Sequence, residues 1–144
     1  MRPPFPTIHA CALLVGDAGL LIRGASGSGK SSLTLALLAA AQAQGRFARL
    51  VADDRVGLTK TEGQLVASPH PVIAGQIEQR GIGILSLPYQ SAARLTHIVD
   101  LVPEAQLPAQ QEGRIALDGV ELGHFVILAG GPMEVAAQAL LAKI

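Results

Sequence analysis

The sequence has one cysteine, no tryptophan and only 3% aromatic residues. A lone cysteine excludes a disulfide scaffold and makes a reducing, cytoplasmic setting the expectation. Charge is scarce too, at 15% of residues against the roughly 25% usual in soluble domains. With 49% apolar residues beside so little charge, a disordered chain is excluded. The 11 basic and 11 acidic side chains cancel, which argues against a nucleic-acid binder that works by phosphate neutralisation. Long apolar runs are also missing. The longest, Leu35 to Ala41, is far below the roughly 20 residues that cross a bilayer, so no membrane association is expected. Met1-Arg2-Pro3-Pro4-Phe5-Pro6 has no apolar segment behind its charge and is not expected to act as a secretory signal. A length of 144 residues fits one domain, 1–144, with a real core.

The residues that are present are patterned. Ile8 to Val15 and Leu20 to Ile22 read as strands joined by Gly16-Asp17-Ala18-Gly19, an antiparallel hairpin. Lys30 to Gln44 reads as a helix with Leu33, Leu37 and Leu38 on one face and Gly45 as its stop. Phe47 to Ala52 is a strand, and Val56 to Thr59 with Leu65 to Ala67 a second hairpin. Further strands are expected at 82–87, 95–102, 115–117 and 120–128, with 104–113 irregular and a closing helix over 133–143. A strand-rich second half beside two helices predicts an α/β fold with a mixed sheet.

Gly24-Ala25-Ser26-Gly27-Ser28-Gly29-Lys30-Ser31 fits the phosphate-loop pattern G-x-x-x-x-G-K-S/T in full. Glycines permit positive φ and close approach of the backbone, so successive N–H groups face an anion. The helix that follows, beginning Lys30-Ser31-Ser32, points its positive end at the same place. Lys30 is expected to pair with the β- and γ-phosphates, and the Ser31 hydroxyl to ligate Mg²⁺. The alternative, a flexible Gly/Ser loop ahead of an ordinary helix, explains neither the preceding strand nor the complete pattern. Asp53-Asp54 ends the strand after the helix, where such loops need acids. Adjacent acids in an extended segment face opposite ways, so one is expected in the metal shell and the other as a proton acceptor.

His9 falls within the first expected strand. Glu78 and Arg80 stand two apart in Ile77-Glu78-Gln79-Arg80-Gly81, ahead of a strand, a spacing that suits a surface ion pair as well as a site. His70, His97 and His124 show no metal-ligand spacing. Cys11 is expected to be a small buried hydrophobe, and Arg114 is an uncommitted candidate for phosphate contact.

His9, Gly24 to Ser31, Val51-Ala52-Asp53-Asp54 and Ile77-Glu78-Gln79-Arg80-Gly81 occur in the order seen in the catalytic domain of HPr kinase/phosphorylase. The resemblance spans about residues 8–90 and weakens beyond. The phosphate loop alone is widely shared; the acid pair and the Ile-Glu-x-Arg-Gly element together are far more specific. The chain resembles a short form without the N-terminal domain of longer members. The resemblance implies a phosphate-loop kinase fold akin to phosphoenolpyruvate carboxykinase. It also implies ATP- and Mg²⁺-dependent phosphorylation of a serine on HPr, the phosphocarrier protein of the sugar phosphotransferase system, by a homo-oligomer. By position, Gly24 to Ser32 would hold the nucleotide, with Lys30 on its phosphates. Asp54 would be the base, with Asp53 in support. Ser31, Glu78 and Asp53 would be metal ligands, with Arg80 in the same signature and His9 the active-site histidine.

Three departures qualify the match. Gln79 replaces a usually apolar residue. Gln106 stands where the family carries a catalytic arginine, whose role would be lost or pass to Arg114 or Arg94. Leu128 to Pro132 replaces the basic segment linked to phosphorolysis, which favours kinase activity over the reverse reaction. Two other readings stay open. A small-molecule kinase with the same loop would carry an arginine-rich lid, and the sequence has no such cluster; a non-catalytic ATP-binding regulator accords with Gln106.

Overall fold

In the computed structural model, which describes residues 6–144, the chain opens with β1 (Thr7–Ile8), β2 (Cys11–Val15), β3 (Ala18–Gly24) and α1 (Lys30–Ala43). β4 (Ala48–Ala52), β5 (Val56–Thr61), β6 (Gln64–Pro69), β7 (Gln76–Gln79), β8 (Gly83–Ser86) and β9 (Ala93–Arg94) follow. The chain closes with β10 (His97–Val102), β11 (Glu112–Leu117), β12 (Val120–Leu128) and α2 (Met133–Leu141). The expectation placed on residues 1–5 lies outside the described residues. Among the described residues no helix is long and apolar enough to cross a membrane.

The main sheet has the order β11-β12-β10-β3-β2-β4. β10 runs parallel to both β12 and β3, whereas β11–β12, β2–β3 and β2–β4 are antiparallel. The sheet is therefore mixed, as its sequence predicts. Alternation sorts its side chains. Leu13, Leu20, Ile22, Leu50, Val99 and Phe125 face the helices, where Leu33, Leu37 and Ala41 of α1 meet Ala137 and Leu140 of α2. Ala12, Leu21, Ile98 and Leu122 face the other way, against Val56, Leu65 and Ala67 of a second, antiparallel sheet, β1-β5-β6-β9. Leu33, Leu37 and Ala41 recur every four residues, which gives α1 its buried stripe.

Some elements differ from the sequence expectation. The first strand is broken at His9, a bend between β1 and β2, because β1 leaves the main sheet to pair with β5. β3 runs on to Gly24. β7, a four-residue strand with one buried apolar side chain (Ile77), pairs only with β8 and carries no period-two signal. Glu112-Gly113-Arg114 lengthens the expected strand at 115–117, its exposed side chains hiding the pattern. In the β2–β4 pairing Leu13 faces Leu50 and Ala12 faces Ala52, so Val51 is an extra residue, a bulge two residues before Asp53.

Candidate active site

The phosphate loop leaves β3, at the centre of the sheet, and enters α1 through Gly29. Gly29 has φ 108° and no side-chain cap, so the first-turn amides of α1, which have no partner within the helix, stay open toward the loop. A Cβ on Gly29 would lie 2.9 Å from Met133 Cε in α2. Gly27 likewise takes positive φ, as the pattern predicts. Gly24 is needed for space instead: it ends β3 in extended backbone, and a Cβ there would stand 2.5 Å from Ser28 Oγ and 3.1 Å from Leu101 Cβ.

Lys30, the first residue of α1, is nearly buried. Its ammonium donates to the loop carbonyls of Gly24 at 2.9 Å and Ala25 at 3.2 Å, which aims a single positive charge along the loop. Ser31 Oγ donates to Asp53 Oδ1 at 2.7 Å. The same oxygen accepts from Cys11 Sγ at 3.0 Å, and Oδ2 accepts the main-chain N–H of Glu78 at 3.0 Å. Asp53 thus ties β2, the head of α1 and β7 to the end of β4. Cys11 is buried as expected, and burial followed by the Asp53 carboxylate pushes its thiol up to about 12. It is a neutral hydrogen-bond donor here, not a nucleophile.

Asp53 and Asp54 do face different partners, although the segment is not extended. Asp54 has φ +70°, in the left-handed region. The turn swings its carboxylate to His9, whose Nε2 lies 2.5 Å from Oδ1 with both side chains more than half exposed. The bend that breaks the first strand is what brings His9 there.

These groups share a cleft of about 690 Å³. Ser26, Gly27 and Gly29 with Lys30, Ser31 and Ser32 form one wall, and His9, Cys11, Asp53 and Asp54 another. The β7–β8 ribbon supplies Glu78, Gln79, Arg80 and Ile82. Gln79 Nε2 reaches Ser32 Oγ at 3.3 Å, a link across the cleft that its spacing did not signal. Of the candidate nucleotide-binding residues, Gly24 and Ala25 border a neighbouring cleft and Ser28 turns inward, its Oγ buried without a partner. Ser31 Oγ, the Asp53 carboxylate and the exposed Glu78 carboxylate are hard oxygen donors that suit Mg²⁺. Among the described residues no cluster of three His, Cys, Asp or Glu side chains is placed to hold an ion alone.

The remaining candidates lie elsewhere. Arg114, in β11, pairs with Glu121 at 2.7 Å on an exposed edge, and Arg94 is exposed in β9; neither lines the cleft. His70 caps a short turn by accepting the N–H of Val72, and His97 stacks on Phe125 with ring centroids 5.7 Å apart. Burial, then the nearby Arg114 charge, lowers the His97 pKa.

A network absent from the sequence reading sits beside the loop on the sheet face opposite α1. Asp100 of β10 accepts from Arg23 Nε at 2.7 Å, from a second Arg23 nitrogen at 2.8 Å, and contacts His124 Nε2 at 2.6 Å. Arg23 and Asp100 are 77 positions apart in sequence, and only the parallel β3–β10 pairing makes them neighbours. Partial burial pushes the Asp100 carboxyl up, but the hydrogen bonds from Arg23 and His124 outweigh it and hold the group below its ordinary 3.8. A carboxyl depressed in the folded state adds stability above its unfolded pKa and loses it as pH falls through the folded value. Asp100→Asn is therefore expected to cost about 2 kcal/mol in urea unfolding at pH 7. At about pH 3 that difference should shrink, because Asp100 then carries its proton more of the time. An equal difference at both pH values would refute the assignment.

Comparison with known proteins agrees with this geometry. The family model for the HPr serine kinase C-terminal domain matches residues 4–102. The HPr kinase/phosphorylase of Clostridium tetani is 38% identical over 98 residues, covering 68% of this chain and 30% of that protein. That of Brevibacillus brevis is 35% identical over 121 residues, 80% of this chain and 37% of the relative. The chain spans about a third of the length of these relatives. The solved structure of the Hpr(Ser) kinase/phosphatase from Coxiella burnetii superposes with a TM-score of 0.79 at 24% identity, covering 95% of this chain and 94% of that one. The fold is thus the α/β, mixed-sheet fold of that kinase. With the family match covering most of its length, the chain belongs to the HPr serine kinase C-terminal domain family.

Proposed function

We propose that the protein is an ATP- and Mg²⁺-dependent kinase that phosphorylates a serine of HPr. The observation that carries this reading is the division of labour between adjacent acids: Asp53 turned to Ser31 at the loop, Asp54 turned to His9 across the cleft. Loop amides and Lys30 bind the β- and γ-phosphates. Ser31, Asp53 and Glu78 hold Mg²⁺, which neutralises charge on the phosphate oxygens when bound. Asp54 Oδ accepts the proton of the target serine hydroxyl, and His9 orients that carboxylate. The serine oxygen bonds to the γ-phosphorus as the bond to the β-phosphate oxygen breaks, and ADP leaves. Arg80, on the ribbon wall, offers a positive charge toward the transferred group. The phosphoryl group passes directly to the serine, with positioning and charge neutralisation supplying the catalysis.

The relatives' names specify HPr, and the exposed apolar rim at Ile82 suits a protein rather than a small acceptor. A second reading, a regulator that binds ATP without turnover, is favoured by one observation: Arg94 and Arg114 both lie outside the cleft. Incubation with γ-labelled ATP, Mg²⁺ and HPr from the same organism separates the readings. Alkali-labile phosphoserine on HPr is the expected product. Transfer to a small acceptor would make the protein a metabolite kinase, and binding without transfer a regulator.

A further inference from the structure

We propose that Gln79 is a positioning residue: its bond to Ser32 holds the β7–β8 ribbon against the head of α1 and so sets where Arg80 stands over the cleft. The proposal rests on the kinase reading above, in which Arg80 offers its charge to the transferred phosphoryl group.

Alternation along β7 divides its side chains between two tasks. Ile77 is fully buried in the core beneath α1. Gln79, two residues on, points to the same side, where its Nε2 donates to Ser32 Oγ at 3.3 Å. Glu78 and Arg80 take the opposite parity; both are exposed and line the cleft. Three contacts thus fix the strand in succession: Ile77 in the core, the Glu78 N–H on Asp53 Oδ2 at 3.0 Å, and Gln79 on Ser32. Beyond them the chain turns through Arg80-Gly81-Ile82 into β8, and every residue from Arg80 to Ile84 is exposed. Gly81 and Gly83 both take positive φ. The Ile82 N–H donates back to the Gln79 carbonyl at 3.0 Å, which ties the turn to Gln79 itself and not to the body of the protein. Gln79 is therefore the side chain that moors the ribbon just before Arg80.

The link also stands on a boundary. A second cleft of about 580 Å³ lies between α1 and the ribbon, and it meets the catalytic cleft at Ser32, Gln79 and Ile82. The Gln79–Ser32 bond is the polar bar between the two.

The residue type is informative because it disfavours folding. Gln79 Oε1 is buried without a hydrogen-bonding partner, and a dry, unpaired carbonyl is destabilising. Leu35, Ala36 and Leu85 border the same second cleft and would accept an apolar side chain without that penalty. Packing alone favours the apolar residue, and what the amide adds is the bond to Ser32. A local rule broken at the expense of stability marks a residue that serves the site.

Hydrogen exchange of the ligand-free chain and single-turnover transfer to HPr test this with Gln79→Met, which keeps the length and removes the amide. Exchange of the amides at residues 79–84 should rise at least about fivefold. Ser32→Ala, which removes the same bond from the helix side, should raise exchange in the same residues. The melting temperature of Gln79→Met should hold or rise, since no carbonyl is left unpaired. Its transfer rate at saturating Mg-ATP should fall about tenfold with Mg-ATP affinity within about twofold of the parent, because the displaced charge acts on the moving phosphoryl group. Arg80→Ala should slow transfer about a hundredfold, and adding Gln79→Met to it should slow it less than about twofold more. Losses that multiply in the double variant, parental transfer in either single variant, or unchanged exchange would each overturn the proposal. So would a lowered melting temperature with rate and ATP affinity falling together, the pattern of a purely structural residue. No phosphoserine on HPr from the folded parent would instead remove the kinase reading, and this proposal with it.

Discussion

Asp54→Asn is expected to slow phosphoryl transfer to HPr by about 10²–10⁴-fold, the usual contribution of a positioned general base, with Mg-ATP affinity unchanged. The substitution is unusually clean for a backbone reason. Asp54 occupies φ +70°, a conformation that costs most side chains of order 1 kcal/mol or more but that asparagine tolerates as aspartate does. The fold and the hydrogen bond to His9 can therefore persist while the proton acceptor is lost. Asp54→Ala would mix that chemical loss with strain and make a poorer test. Rapid-quench measurement of phospho-HPr, beside calorimetry with Mg-ATP, reads the two quantities separately. A variant that transfers at the parental rate would show that the proton goes elsewhere.

Lys30→Ala should have the larger effect on binding. Its ammonium is nearly buried and strapped to the Gly24 and Ala25 carbonyls, so truncation removes the one loop-held cation and also frees the start of the loop. Charge-assisted hydrogen bonds contribute about 1.5–3 kcal/mol each, so ATP affinity should fall by about 10–100-fold. Transfer should fall further, by about 10³-fold or more in kcat/KM, because charge builds on the γ-phosphate as it moves. Lys30→Arg should not rescue it. The guanidinium is larger and planar, whereas the two backbone carbonyls here hold a compact ammonium on an unbranched stem. Recovery of parental affinity in the arginine variant would mean that bulk positive charge, not a fitted ammonium, is what the loop requires.

Much of this site is legible in the sequence because it is built from local signals. The phosphate loop is eight consecutive residues whose glycines and lysine each have a backbone or charge task. Leu33, Leu37 and Leu38 announce α1, and Asp53-Asp54 follows an apolar strand. What escapes the sequence is long-range or weakly patterned. Cys11 reads as core and is core, but its contact with Asp53 depends on β2 and β4 lying side by side, 42 positions apart. The break at His9 follows from β1 leaving one sheet for another, which no alternation of side chains records. The Arg23–Asp100–His124 network needs three strands in register before any member has a partner. β7 holds a single buried apolar residue, so its four residues look like loop, yet they carry the Glu78 amide that Asp53 engages.

That amide makes Asp53 a latch with both bolts thrown. One oxygen secures the helix head and the strand floor, the other the two-stranded ribbon, which is held further by Ile77 and Leu85 in the main core and by Gln79 at Ser32. A neutral amide here would offer one acceptor and one donor where two acceptors now stand, so even an isosteric replacement must reverse the hydrogen bond at Ser31 or lose the one to Glu78, as well as altering the charge.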